Sequence, residues 1–430
     1  MNRVKRTKTQ VGCIALGLLI ALSARDATAQ AASEFENPPT LHVKDLVSAP
    51  LLKGKGFRVE QKVPTDGVMG TYTITADKAT FGEDAGVYQV RSRELLELRL
   101  AEVPAIVQLN DTSKLGTFAK AMGHSAVRPL EATGHMVMNP IDTVTGLPGG
   151  VGRLFDRVGT GAGHLWDSAT DSSKGGLERT GEVATRTGSI TKDMLGYEQE
   201  RRELAKKLGV DPYTSNPILA KKLDEFASAA FYGRVGVNTA ISVAAPASML
   251  ITGVKAVDNL VWDTPRGDLI VRVDTKLQEI KVPPGQASLF TRNAALPLSL
   301  QVAVVENLSR LPEIPGRADV VGLLGSVTTE SQARFLATTV QMLADYHEKK
   351  KPLAAIAAPG LVIARDHEGT LVLPAPVDYV SWTERVSSFA KNPEFLAIPQ
   401  RTLWITGKMS PRAKQELEAA GWTLHEGIEI

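Results

Sequence analysis

Residues Arg201 to Phe231, RRELAKKLGVDPYTSNPILAKKLDEFASAAF, constrain this chain more than any other stretch, because they read as helix, rigid corner, helix. Leu204, Ala205 and Leu208 share one helical face, with Arg202, Glu203 and Lys206 turned away from it. Lys206 and Lys207 fall in the last turn, where free carbonyls and the helix dipole favour cations. Gly209 then stands where a left-handed cap residue belongs, since glycine has no Cβ to clash. Asp211-Pro212 makes a turn that cannot continue a helix. Asn216-Pro217 restarts one: the Asn side chain accepts from free N–H groups, and proline needs no donor at the first position. Leu219, Leu223, Phe226 and Ala230 follow at spacings that make a buried stripe. Tyr213 and Asp211 are the corner's polar candidates for a site, but caps and turns account for every residue, so a packing corner is expected.

The N-terminus carries an address. Arg3, Lys5, Arg6 and Lys8 precede an apolar run, Val11 to Leu22, that is short for a bilayer span. Ala27-Thr28-Ala29 supplies small residues for cleavage, so residues 1–29 are expected to be a signal peptide cut after Ala29. No twin arginine is present, which points to the general secretory route and a periplasmic or secreted protein. Cys13 is the one cysteine and lies inside the apolar run rather than after it, which argues against lipidation. A processed chain would have no thiol for a disulfide, a thiolate zinc site or a cysteine nucleophile. With 49 Lys and Arg against 47 Asp and Glu, there is no basic field to bind nucleic acid.

Texture changes along the chain suggest an α+β protein, mainly α. Residues 40–110 read as a β-rich N-terminal unit: Tyr72, Ile74 and Ala76 alternate with Thr71, Thr73 and Thr75. Leu96, Leu100 and Val103 then favour a helix. Residues 111–196 are rich in Gly, Ser and Thr and are expected to be a partly helical connector with little core. Residues 197–350 read as a helical core, interrupted at Asp263-Thr264-Pro265, which restarts a helix near Asp268, and kinked or broken at Pro297. Within it Thr328 or Thr329 can cap a helix whose Phe335, Thr339, Met342 and Tyr346 share a face. The uncharged run Val235–Val254 is only mildly apolar, so burial in the bundle is favoured over membrane insertion. Residues 352–430 read as a small α/β unit. Two strands flank the polar turn Asp366-His367-Glu368-Gly369, and helix follows from about Ser381. A strand–helix–strand unit closes the chain, with Ser410 capping, Pro411 opening, Gly421 closing and Leu417 facing inward.

No complete catalytic set emerges. Gly146, Gly149, Gly150 and Gly152 resemble a phosphate loop but lack a preceding buried strand and the Gly-Lys-Ser/Thr ending, so a hinge before a short helix is expected. Ser189-Ile190-Thr191-Lys192 and Ser388-Phe389-Ala390-Lys391 both have the Ser-x-x-Lys form of acyl-serine enzymes, without the companion elements. The pairs His347-Glu348, His367-Glu368 and His425-Glu426 do not continue to a zinc motif, and His124, His135 and His164 each follow a glycine with no carboxylates at ligand spacing. Asp345, Asp366, Glu368 and Asp378 are the acids that a hydrolase site at the α/β unit would draw on. The sequence therefore nominates no catalytic, cofactor-binding or metal-binding residue and no cofactor. The favoured expectation is a non-catalytic exported envelope protein that docks an envelope protein partner. The alternatives are an exported hydrolase of cell-wall or extracellular material and a peripheral or inserted membrane protein using Val235–Val254.

Overall fold

Alternation of apolar and polar residues sets the first layer. In the computed structural model, which describes residues 34–110, 192–231 and 255–429, strand β4 (Thr71–Ala76) buries Tyr72, Ile74 and Ala76 and turns its threonines outward. It lies between β2 (Phe57–Val59) and β5 (Gly86–Arg91) in an antiparallel sheet, while β1 (Thr40–His42) pairs with β3 (Lys62–Pro64). Two short helices, α1 (Val43–Leu46) and α2 (Lys78–Phe81), fill the connections. Helix α3 (Arg93–Asn110) follows β5 and buries Leu96, Leu100 and Val103, as the leucine spacing predicts. Every described element belongs to the compact unit Asn37–Ile430.

The corner forms as its sequence dictates. Helix α4 (Lys192–Leu208) ends with Gly209 at φ +68°; the Gly209 N–H donates to the Lys206 carbonyl at 3.1 Å and the Val210 N–H to Ala205 at 3.0 Å. These two bonds satisfy carbonyls that the helix end leaves free. Helix α5 (Pro217–Phe231) starts where Asn216 Oδ1 accepts from the Ile218 N–H at 3.1 Å. Its buried ridge is Leu219, Leu223 and Ala227, with Phe226 half-buried against the same core. This ridge packs with Leu204, Ala205 and Leu208 of α4 and Ile106 and Leu109 of α3.

The helical core continues through α6 (Lys255–Asp263), α7 (Arg266–Glu279), α8 (Pro284–Arg292), α9 (Leu298–Ser309), α10 (Arg317–Gly325) and α11 (Glu330–Lys349). Pro265 and Pro297 immediately precede α7 and α9, so Pro265 restarts a helix as expected and Pro297 marks a break between helices. Thr329 caps α11 by accepting from the Gln332 N–H, and the Phe335, Thr339, Met342, Tyr346 face is buried. The adjacent face of α11, Ser331, Arg334, Thr338 and Gln341, is buried as well.

The C-terminal sheet has the order β12-β10-β8-β7-β6. Strands β8 (Leu371–Ala375), β10 (Arg401–Ile405) and β12 (Trp422–His425) run parallel, and β6 (Leu353–Ala357) and β7 (Ile363–Asp366) add an antiparallel edge. The segment expected as one strand before the Asp366 turn is thus two strands, divided around Gly360 at φ +145°. A smaller pair, β9 (Tyr379–Val380) with β11 (Lys408–Met409), lies beside it. Helices α12 (Glu384–Ala390), α13 (Pro393–Leu396) and α14 (Pro411–Ala419) complete the layer. Helix α12 starts after the Thr383 cap, slightly later than expected, and Ser410 caps α14 through the Ala413 N–H. The fold is α+β and mainly α.

Candidate functional site

Helix α3 carries an interruption in its apolar stripe. Leu98, Ala105 and Leu109 are buried, and between them, at the same helical spacing, stands Glu102 at 1% exposure. A carboxylate that deep must be compensated. Arg99, one turn earlier, meets it at 3.0 Å through Nη1, and the corner supplies the rest: the Asn216 amide donates at 2.8 Å and the Thr214 hydroxyl also donates. Arg99 Nη2 reaches onward to Glu330 at the start of α11 and to the Ser215 hydroxyl at 2.8 Å. Arg334, one turn along α11, donates through Nε to Glu330 at 2.8 Å. The result is a chain of alternating charge, Glu102–Arg99–Glu330–Arg334, clamped between α3, the corner and α11. Asp211 stands beside it, accepting from the Tyr213 N–H at 2.7 Å and from the Ser299 hydroxyl of α9.

The electrostatics of these acids diverge. Burial alone would raise the Glu330 carboxyl, but Arg99 and Arg334 hold it down to about 2. Burial pushes Asp211 up to about 6, against the pull of Ser299 and the Tyr213 N–H. Burial also drives the Arg99 guanidinium toward losing its proton, but Glu330 and Glu102 outweigh this and strengthen its hold on the charge.

A second buried acid joins the C-terminal layer to the N-terminal sheet. Asp378, 4% exposed, accepts from the Gly70 N–H at 2.9 Å, the Tyr72 hydroxyl at 3.1 Å and the Arg93 N–H at 3.0 Å. It therefore caps the first turn of α3 from 285 residues away in sequence. Main-chain bonds reinforce the junction: the Asp378 and Tyr379 N–H groups donate to Val68 O, and the Ser381 N–H donates to Gly67 O. Gly407 lets the chain pass close, since a Cβ there would stand 2.1 Å from the Asp378 carbonyl oxygen. Burial pushes Asp378 up to about 6, opposed by the Arg93 and Gly70 N–H donors.

The other nominated residues are dispersed. Asp366 is buried in the β7–β8 turn, accepting from the Thr370 and Glu368 N–H groups and the Tyr346 hydroxyl. Asp345 pairs with Arg310 and Lys349, and Glu368 pairs with Lys351. No hydrogen bond or ion pair links these four acids into a set. His347 Nδ1 accepts from the Leu353 N–H at 3.0 Å, His367 is exposed, and His425 stacks on Trp404 with ring centroids 4.0 Å apart. Ser388 is exposed, and Lys391 Nζ sits 5.4 Å over the Trp382 ring, each turned to surroundings of its own. Among the described residues no group of three or more His, Cys, Asp or Glu can hold a metal ion. The glycines at 146–152, Ser189, His124, His135, His164, the signal segment and Val235–Val254 lie outside the described residues. No helix among the described residues is long and apolar enough to cross a membrane.

Sequence reasoning read Asp211 as a turn residue, Asn216 as a helix cap and Asp378 as an acid near the α/β unit, without their long-range partners. The signal for Glu102 was present as a charge inside an apolar stripe, and for Arg334 as the i,i+4 partner of Glu330 on the same helix. The Asp378 contacts had no local signal. No protein-family model, curated protein or solved structure matches the chain.

Proposed function

We propose that the chain is an exported cell-envelope protein that acts as a non-catalytic scaffold, periplasmic or secreted after removal of residues 1–29, and docks an envelope protein partner. One observation carries the non-catalytic reading. Four acids set into the interior are held by internal donors: Glu102 and Glu330 by guanidinium groups, Asp366 and Asp378 by N–H and phenol groups. Acids committed in this way fasten elements together and leave little capacity to bind and protonate a substrate. The export reading is supported by the basic start, the short apolar run and the small residues at 27–29.

Cell fractionation with N-terminal sequencing tests the address. The expected product is a soluble chain beginning at Gln30, and accumulation of the intact precursor in the cytoplasm would contradict export. In-cell crosslinking followed by a screen of the purified protein on envelope polymers tests the role. The expected result is a crosslinked envelope protein and no turnover. Turnover that Glu102→Gln or Asp366→Asn abolishes in a stably folded protein would contradict the scaffold reading.

A further inference from the structure

Strand β5 is an open edge of the N-terminal sheet, and its register shows which groups face outward. The Glu60 N–H donates to Thr73 O at 2.9 Å, so Thr73 and Thr75 aim their main-chain groups at β2, while Tyr72, Ile74 and Ala76 aim theirs at β5. The pairs Tyr72↔Val90, Ile74↔Tyr88 and Ala76↔Gly86 then commit the groups of Gly86, Tyr88 and Val90 to β4. Val87, Gln89 and Arg91 turn theirs away from it. Two contacts close the ends of this outward row: the Ser331 hydroxyl donates to Arg91 O at 2.9 Å, and the Ala85 N–H donates to Gly82 O at 3.4 Å. Between them Val87 is 67% exposed, and Gln89 is exposed as well.

Sheet edges are normally guarded against pairing with another chain. Strand β2, the other edge of this sheet, is three residues long with Arg58 at its centre, and the β6 edge carries a register shift between Leu353 and Ala355. Strand β5 pairs with β4 over six residues without a shift, and Ala85 to Val90 hold no charge and no proline. We propose that β5 pairs with β5 of a second copy of this chain, antiparallel about a two-fold axis at Tyr88. The row is complementary to itself. Val87 of each copy meets Gln89 of the other as a hydrogen-bonded pair, with both main-chain bonds exchanged. One more bond forms at each end, from the Arg91 N–H to Ala85 O of the other copy. The other two groups of that end pair are the ones that Ser331 and Gly82 already occupy. Charge selects the same direction: the exposed Glu83 comes opposite Arg93 of the other copy, whereas in-register parallel pairing would set Glu83 beside Glu83. The pairing does not depend on export.

Proline at position 87 tests this, because it deletes an outward N–H and no bond to β4. The full chain should sediment as a concentration-dependent mixture of monomer and dimer. Val87→Pro should weaken the dimer about thirtyfold, since one bond goes from each of the two symmetric pairs. A parent chain that stays monomeric to about 100 μM, or a dimer that Val87→Pro leaves unchanged, would overturn the proposal. Disulfide trapping reads the register without altering the main chain. Two Cys13→Ser chains, one with Val87→Cys and one with Gln89→Cys, should crosslink to each other on oxidation far more than either does to itself, because only the facing pair comes within disulfide reach. Equal or preferential self-crosslinking would overturn the pairing. So would crosslinking of both variants in cells to a different protein alone.

Discussion

Glu330 and Asp378 are both carboxylates taken into the interior, yet their proton affinities move in opposite directions. Glu330 meets two guanidinium groups and is held down to about 2. Asp378 meets two main-chain N–H groups and a phenol and is pushed up to about 6. Hydrogen bonds to neutral donors therefore do not hold a buried acid at its ordinary proton affinity here. Full opposing charges hold Glu330 below its ordinary value at the corner, while at the α3 cap burial outweighs the dipolar donors. The two sites fasten different joints. The charge chain locks α3 to the corner and α11, and Asp378 locks the N-terminal sheet to the C-terminal layer.

The difference can be broken most severely at Arg99. Arg99→Ala leaves Glu102 and Glu330 facing each other without their shared cation and should destabilise the fold by about 3–5 kcal/mol in urea unfolding. Asp378→Ala removes no formal partner charge but strands the Gly70 and Arg93 N–H groups and the Tyr72 hydroxyl. Its expected cost is smaller, about 2–3 kcal/mol, by the same measurement.

The pH profile separates the two sites by sign. Asp211 and Asp378 bind a proton more tightly in the folded chain than in the unfolded one. Their contribution is complete below the ordinary aspartate value of 3.8 and is lost as the pH rises through about 6. Glu330 is the reverse: its contribution is present above 4.5 and is lost as the pH falls through about 2. Unfolding free energy should therefore rise by about 1–3 kcal/mol on going from pH 7.5 to 5, and fall again below pH 3. The smallest effect is expected from Tyr72→Phe. It should cost about 1 kcal/mol and move the Asp378 titration upward in carbon-detected NMR, because the phenol favours the carboxylate.

Much of this architecture was legible because local chemistry and packing agree. Gly209, Asn216 and Pro217 each meet a local backbone demand, and the period of two in Thr71–Ala76 is that of a sheet with one buried face. The split at Gly360 was missed because the apolar runs on either side of it read as one, although Pro359-Gly360 between them is a turn signal. The polar fastening was legible in part. Glu102 betrays itself within α3, whereas Asp378 meets Gly70, Tyr72 and Arg93 across some 300 residues, and no pattern in a single sequence carries such a pairing. Asp366 and Asp378 both looked like acids of a site; the β7–β8 turn and the α3 cap are what they serve.

The coupling between Arg99 and Glu330 tests the fastening account most directly. In a double-mutant cycle with Arg99→Met and Glu330→Gln, read by equilibrium urea unfolding, the account predicts a coupling of about 2–3 kcal/mol. A coupling below about 0.5 kcal/mol would mean that the buried charges do not hold α3 to α11, and the account would fail.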